Sequence, residues 1–183
     1  GADHLLSNVD DAHYVGDVIS SWVKRYIDWP EGSTLETEKK VVARIGTEKY
    51  VTEIKGGQHS LVADEPKSVG GQDLGMSPYE LLNASLVACT TMTLRMYADR
   101  KGWPLESVEV HLSHIKEHKA DSENPDGPGS YISVFEKELV IDGPLDEQQR
   151  ARLFEIAARC PVHRTLEGEV EIRSELRNGQ MSK

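Results

Sequence analysis

The amino-acid sequence predicts an α+β fold, an antiparallel sheet with one long central helix that bears a cysteine and a second helix. Two observations carry this prediction. Several short stretches alternate apolar with polar residues, which is the pattern of half-buried strands. Between two groups of these stretches, apolar residues recur at helical spacing from Leu81 to Tyr97. The patterns follow one another in the order βββ–α–ββ–α–β.

Turn residues bound the predicted strands. Gly46 to Lys49 form the turn of a first hairpin, and Asp64–Gly75, which contains proline and three glycines, is a loop. The polar stretch Glu117–Ser130 is predicted to form the tip of a second hairpin. The predicted strands are residues 40–45, 50–54, 59–63, 105–114, 131–141 and 166–176.

The long helix has the clearest boundaries. Ser77 is predicted as its N-cap, Pro78 takes the first helical position, and Glu80 lies at the capping-box spacing. Gly102 ends the helix. Because its apolar face is too rich for one thin sheet to cover, we expect a partner subunit to cover part of it.

Composition narrows the classes of function. The 183 residues suffice for one well-buried domain, and 38% hydrophobic with 28% charged residues is typical of a globular protein. A net charge of −10, with scattered Lys and Arg, argues against nucleic-acid binding. No apolar run suits a bilayer span, and the N-terminus lacks the pattern of a secretory signal. We therefore expect a cytoplasmic protein with no nucleic-acid or membrane partner.

Two cysteines, Cys89 and Cys160, are the candidate reactive groups. The chain has no CxxC pair and no HExxH motif, so no zinc site of the usual kinds is expected. Lone cysteines in a reducing compartment are most often unreactive. Cys89, however, lies among small side chains where another group can approach it. Cys160 is predicted to end the second helix at a bend that Pro161 imposes. Inert thiols and a redox pair both remain open.

A reactive Cys89 needs a group that lowers its thiol pKa. It lies twelve residues after Ser77, beyond the terminal turns in which a helix dipole acts, so a cation has to supply the field. Glu80 precedes Cys89 by about 13.5 Å of helical rise and half a turn of rotation. Glu80 therefore either only caps the helix or serves the cysteine of a second subunit.

The segment Ser77-Pro-Tyr-Glu-Leu-Leu-Asn-Ala-Ser-Leu-Val-Ala-Cys89 resembles the cysteine helix of the OsmC/Ohr (organic hydroperoxide resistance) family. Cys160-Pro161-Val162 resembles the second, resolving-cysteine motif of that family. The residues that follow each cysteine are similar to a branch in which the OsmC-like domain is fused behind an α/β-hydrolase. The resemblance covers about residues 38–176.

The resemblance implies an OsmC-like fold, an intertwined homodimer with active sites at the subunit interface, and thiol-dependent, peroxiredoxin-like peroxidase activity. Cys89 would attack a small organic hydroperoxide, and Cys160 would resolve the sulfenic acid to a disulfide. An external dithiol would then reduce the disulfide. No metal, flavin or haem cofactor would be needed, and the role would be antioxidant.

Two positions depart from the hydroperoxide-reducing members. Their activating glutamate directly follows the helix-starting proline, where this chain has Tyr79, and Glu80 matches the next position. Their activating arginine lies in the first hairpin, where this chain has Tyr50 beside Lys49. Arg44, earlier on that strand, is the candidate cation.

The same branch accounts for the N-terminal segment. The stretch Gly-Ala-Asp-His4-Leu-Leu resembles the C-terminal part of the fused α/β-hydrolase, and the resemblance implies that His4 would be the triad histidine. No G-x-S-x-G nucleophile elbow occurs, so His4 has no serine to activate. The chain is therefore expected to be a fragment or a truncated product. The predicted division is a hydrolase-like C-terminal remnant with a helix at residues 1–29, a linker at 30–38, the OsmC-like domain at 39–177 and a tail at 178–183.

Two functions remain in competition. The first is a hydroperoxide reductase. The second is a non-catalytic dimerisation or ligand-binding module formerly attached to a hydrolase, which predicts distant cysteine sulfurs or no cation near them. His163, three residues after Cys160, is a candidate to assist its thiolate. Arg95 is expected to form a salt bridge and to point away from Cys89.

Overall fold

The computed structural model describes residues 8–23, 35–118 and 131–177. The chain divides into two compact units, residues 1–76 and 77–183, which are described separately. The helices and strands are α1 (Val9–Val23), β1 (Val41–Ile45), β2 (Thr52–Gly56), β3 (His59–Ala63), α2 (Pro78–Lys101), β4 (Ser107–His118), β5 (Tyr131–Asp142), α3 (Glu147–Ala157) and α4 (Pro161–Glu167). Their mixture of antiparallel strands with a long helix confirms the predicted α+β class.

The first unit contains α1 and an antiparallel sheet in the order β1-β2-β3. The helix lies within the predicted helical segment. In the first hairpin Ile45 pairs with Thr52, so β2 begins two residues later than predicted. Lys49 has a left-handed backbone (φ 48°), and the N–H of Val51 donates to the carbonyl oxygen of Glu48. The turn therefore extends through Tyr50 and Val51.

A buried carboxylate organises the loop after β3. Asp64 accepts hydrogen bonds from the backbone N–H groups of Glu65, Gln72 and Leu74 at 2.8, 2.9 and 3.3 Å. Burial raises the pKa of Asp64, but backbone N–H donors outweigh that effect, and the pKa lies below its ordinary value. The ionised carboxylate thus holds the loop together.

The long helix α2 begins and ends as predicted. The Ser77 hydroxyl accepts from the N–H of Glu80, and the Glu80 carboxylate accepts from the N–H of Ser77. Gly102 ends the helix in the left-handed conformation (φ 65°), which glycine adopts at no steric cost.

In the second unit, β4 and β5 form a two-stranded antiparallel ribbon in which Ser107 pairs with Asp142 and His118 with Tyr131. Both α3 and the ribbon pack against α2. Most of the predicted tip at 117–130 lies outside the described residues. The core contains Leu94, Ala98, Leu105, Leu145, Leu153, Ile156 and Ala157.

The predicted strand at 166–176 is wrong for this chain. Helix α4 occupies the first two of these positions, and residues 168–177 form no strand pairing among the described residues. A strand needs a neighbouring backbone to satisfy its N–H and C=O groups. The alternating apolar side chains of Val170, Ile172 and Leu176 are exposed, by 57%, 85% and 93%.

No helix within the described ranges is long and apolar enough to cross a membrane. The assignments made from sequence for residues 1–7, 24–34 and 178–183, His4 among them, lie outside the described residues.

Candidate functional site

Cys160 begins a helix; the prediction that it ends one was incorrect. Helix α3 stops at Ala157, and Cys160 is the N-cap of α4 with an extended backbone (φ −65°, ψ 145°). Pro161 causes this geometry, since it disfavours a helical residue before it and suits the first position of a helix. The Cys160 side chain is fully buried, and the N–H of His163 donates to its Sγ at 3.3 Å.

Thr90 contacts the same sulfur from α2. Its Oγ1 lies 3.6 Å from Sγ of Cys160, and both residues have no exposed surface. The Thr90 hydroxyl donates its single proton to the carbonyl oxygen of Leu86 at 2.8 Å. When Cys160 is protonated, the thiol is therefore the donor and Thr90 Oγ1 the acceptor.

Lys137 joins this cluster from the middle of β5. Its Nζ donates to the carbonyl oxygen of Ala157 at 3.2 Å and lies 2.8 Å from Nδ1 of His163. Nε2 of His163 lies 2.9 Å from the Glu167 carboxylate. A lysine ammonium only donates, so Nδ1 accepts and the proton of the neutral imidazole is on Nε2, where it donates to Glu167.

The surroundings of Lys137 change the pKa of its ammonium group. Burial lowers the pKa of the Lys137 ammonium, while attraction to the Cys160 thiolate and to Glu167 raises it. The net pKa lies below its ordinary value.

Cys89 has different surroundings. It is half-buried on α2 and is a free thiol, as is Cys160. It directly precedes Thr90, which places its side chain about 100° around the helix from the Thr90 side chain. Within the part of the chain that the structure describes, the Cys89 side chain has no hydrogen bond and no ion pair.

The two candidate activating residues have other partners in this chain. The Glu80 carboxylate accepts from both the N–H and the hydroxyl of Ser77, at 2.7 and 2.8 Å, and these bonds lower its pKa. Arg44 forms an ion pair with Glu53 on the neighbouring strand, at 2.9 Å.

Arg95 behaves as predicted for a residue turned away from Cys89. It pairs with Asp99 at 3.5 Å and donates to the carbonyl oxygens of Leu105 and Glu106.

A mainly apolar groove of about 700 Å³ lies beside the charged cluster. Leu82 and Leu86 of α2 line it, with Lys137 and His163 among its polar groups. Tyr79, at the start of α2, also lines it, and its ring stacks on His114 at a centroid distance of 4.9 Å. The groove combines an apolar wall with a small polar end, which suits a small, mostly apolar ligand.

Sequence reasoning missed Thr90 and Lys137. Lys137 could have been found from the strand pattern. In β5, the less exposed positions are 134, 135, 137, 139 and 141, and Lys137 is the one charged residue among these five. A lysine at an inward position of an alternating strand predicts a buried anionic partner. No comparable local signal identifies Thr90.

Within the described ranges, no group of three or more His, Cys, Asp or Glu residues is arranged to hold a metal ion.

The fold and the two thiols define an α+β protein in which a long central helix and a helix-capping position each carry one cysteine. Residues 70–175, more than half of the chain, match the family described as OsmC-like protein, and the chain belongs to this family. No curated protein sequence matches the chain significantly.

Solved structures share this fold at low sequence identity. The OsmC-like protein of Mycoplasma pneumoniae is similar with a TM-score of 0.57 and 19% identity, over 73% of this chain and 90% of that one. An organic hydroperoxide resistance protein OsmC of Legionella pneumophila gives 0.52 and 19%, over 73% and 93%. An organic hydroperoxide resistance protein of Elizabethkingia anophelis gives 0.51 and 19%, over 75% and 94%. At such identities the likeness concerns the fold.

Proposed function

We propose that this chain reduces organic hydroperoxides by a two-thiol mechanism in which Cys89 attacks the peroxide and Cys160 resolves the product. Membership of the OsmC-like family supports the proposal, as do the names of the structural neighbours from Legionella and Elizabethkingia. The observation that carries it is the contact of Cys160 Sγ with Thr90, the residue next to Cys89 on α2. The buried thiol is thereby packed at the level of Cys89 along the helix.

The proposed reaction balances with one external reductant. The Cys89 thiolate attacks one peroxide oxygen, the O–O bond breaks, and the alkoxide takes a proton to leave as an alcohol. The Cys160 thiolate then attacks the sulfenic sulfur, forming the S–S bond and, with a proton, releasing water. A dithiol reduces the disulfide by exchange. The scheme uses no metal, flavin or haem, and we place it in the cytoplasm, where dithiol reductants are kept reduced.

We expect the resolving step to involve movement. Cys89 and Thr90 point in directions about 100° apart on α2, and Thr90 is the residue that contacts Cys160. In the proposed reaction, the end of α3 or the start of α4 therefore shifts before Cys160 attacks a sulfenylated Cys89. Because the contact is made by a helix terminus, we expect local fraying to be enough.

In the proposed mechanism, the thiol of Cys89 is activated only in a homodimer, where the partner subunit contributes to the active site. No charged partner of Cys89 is found among the described residues of a single chain, so the proposal draws on Arg44 and on Glu80 of the partner subunit. The exposed methionines of α2, Met92 and Met96, support a second copy as the cover of this face.

A peroxide-consumption assay tests the function. The purified chain with cumene hydroperoxide and a dithiol should turn over peroxide, and Cys89→Ser should reduce the rate to the uncatalysed background. Cys160→Ser is the matched control, since it should still form one sulfenic acid per chain but no intramolecular disulfide. A wild-type rate no higher than that of Cys89→Ser would reject the proposal.

The absence of a described charged partner for Cys89 favours a second candidate, the non-catalytic dimerisation or ligand-binding module of a former hydrolase fusion. Under this alternative, residues 1–29 are a hydrolase remnant and both cysteines are dispensable. Equal peroxide consumption by the wild type and both serine variants, with unchanged subunit association, is its signature.

A further inference from the structure

The buried sulfur of Cys160 lies beside a charged network that the two-thiol scheme leaves unexplained. Lys137 donates to two acceptors among the described residues, the carbonyl of Ala157 and the imidazole of His163. A lysine ammonium has three N–H donors, so one remains. Lys137 Nζ contacts the carbonyl oxygen of Ala157, three residues before Cys160, and the ring of His163, whose backbone N–H donates to Cys160 Sγ. Attraction to the Cys160 thiolate is one of the two effects that raise the pKa of Lys137. A mostly apolar strand face is an unfavourable place for an ammonium group unless it serves an anion.

We propose that Lys137 is a positioning residue that stabilises the thiolate of Cys160, and that His163 and Glu167 hold its ammonium group in place. The proposal deepens the function given above. The expected effect of Lys137 on disulfide formation rests on that function, whereas its expected effect on the titration of Cys160 does not.

The hydrogen bond with the imidazole of His163 orients the ammonium group of Lys137. Nδ1 accepts from Lys137, and the opposite nitrogen donates to Glu167, so the neutral ring bridges a cation and an anion. The Glu167 carboxylate is largely exposed, but its charge still favours the protonated form of Lys137. The backbone N–H of the same histidine donates to the sulfur. His163 therefore acts on the network through both its ring and its backbone.

Both protonation states of the thiol have partners. As a thiol, Cys160 donates to Thr90 Oγ1, whose own proton is committed to Leu86. As a thiolate, it accepts from the His163 N–H and gains the charge of Lys137. A buried sulfur is thus satisfied before and after it loses its proton, which lowers the cost of ionisation.

The groups that face Cys160 come from four elements. β5 supplies Lys137, α4 supplies His163 and, through it, Glu167, α2 supplies the uncharged Thr90, and the end of α3 supplies the Ala157 carbonyl. Lys137 is thus the one basic side chain besides His163 in the described network. In the proposed reaction it keeps Cys160 ready to attack the sulfenic acid of Cys89.

Thiolate absorbance in a single-cysteine protein tests the inference without any peroxide. Since the chain has two cysteines, Cys89→Ser leaves Cys160 as the only thiol. In this background, Lys137→Met should raise the pKa of Cys160 by about one to three pH units, because an opposite charge nearby is removed. Lys137→Arg should keep the titration midpoint close to that of the Cys89→Ser parent, a rescue that a purely structural role would not produce.

Two further variants serve as controls. Lys116→Met removes an equal charge from the same ribbon, at an exposed lysine whose described contact is with the Tyr79 ring, and should leave the titration unchanged. Lys137→Gln also removes the charge but keeps an N–H donor for the carbonyl of Ala157 and the ring of His163, so it should fold even if Lys137→Met does not. It should raise the pKa of Cys160 as Lys137→Met does. An unchanged titration midpoint in Lys137→Met, or in Lys137→Gln if the first variant does not fold, overturns the inference.

Peroxide kinetics separate this inference from the function itself. In the two-cysteine protein, Lys137→Met should slow disulfide formation by at least about tenfold relative to sulfenic acid formation, which follows from the smaller thiolate fraction of Cys160 near neutral pH. A protein that consumes no peroxide but shows the expected titration shift would refute only the function. Normal disulfide formation with an unshifted titration would refute only the role of Lys137.

Discussion

Two charged side chains of this protein, those of Asp64 and Lys137, are wholly or partly removed from solvent and form hydrogen bonds with the backbone. Asp64 is buried after β3 and is satisfied by backbone N–H groups of its own loop, so its charge is an internal anchor. Lys137 is the opposite case, a half-buried cation whose partners are the side chain of His163 and the carbonyl oxygen of Ala157 at the end of α3. An anion thus stabilises one loop, and a cation joins three elements around a thiol.

Replacing Asp64 with Asn should lower the melting temperature at neutral pH by a few degrees, since an amide accepts fewer hydrogen bonds and places a donor against N–H groups. The pKa of Asp64 is depressed in the folded protein, so the ionised form stabilises the fold above the unfolded-state pKa. That contribution is lost as the pH falls through the folded-state pKa. The difference in melting temperature between wild type and variant should therefore shrink below about pH 4.

Asp73→Asn is the control in the same loop. Asp73 has a left-handed backbone (φ 62°), which Asn tolerates equally well, so this variant should melt like the wild type at every pH. A pH-independent deficit in Asp64→Asn would contradict the anchoring role of the charge.

At the scale of elements, the local sequence determines where α2 begins and ends, but it does not determine which parts of the protein pack against each face of the helix. The capping box at Ser77 and Glu80 and the left-handed Gly102 involve neighbours in the chain. Because the carboxylate of Glu80 is used in the cap, its proposed second role toward a partner's cysteine has to be separated from helix stability.

Glu80→Gln separates the two roles. Gln also serves at this capping position, so we expect an unchanged melting temperature. Loss of the carboxylate should lower peroxide turnover by at least about tenfold if Glu80 of the partner subunit orients the group that activates Cys89. Ser77→Ala is the complementary control and should cost about 1 kcal/mol of stability. Unimpaired turnover in Glu80→Gln would leave capping as the whole role of Glu80.

At the scale of the whole molecule, α2 exposes side chains that a helix of this length usually buries. Ala88, Met92 and Met96 follow one another at four-residue spacing, and the two methionines are 64% and 72% exposed. Contacts with this face from a second copy would account for them.

Light scattering after size exclusion should therefore give a mass of twice 20.4 kDa for the wild type. The double variant Met92→Lys and Met96→Lys should elute with the mass of one chain, because two buried charges oppose association. Phe154→Lys introduces a charge at a similarly exposed position on α3 and should leave the dimer intact. A monomeric wild type, or a dimeric double variant, would contradict the proposed covering of α2.

The sequence by itself determined the α+β class, the two ends of α2, the strand β3 and the family, because these depend on residues that are close in the chain. Periodicity, caps and two cysteine motifs are local signals. The sequence also identified both cysteines, and it gave His163 as a candidate to assist the thiolate of Cys160. It extended a strand over residues 166–176, since an alternating pattern does not reveal whether a neighbouring backbone is present.

The tertiary structure decided the surroundings of the thiols. Thr90, Lys137 and Cys160 lie on three different elements, and their meeting depends on how α2, the ribbon and α4 pack, which no spacing in the chain encodes. The same packing points Thr90, and not Cys89, at the sulfur of Cys160. The cation for Cys89 was predicted in the first hairpin, at Arg44. In the structure, Lys137 contacts Ala157 and His163, which lie on either side of Cys160 in the chain. Tertiary packing, and not proximity in the sequence, brings this charge near a cysteine.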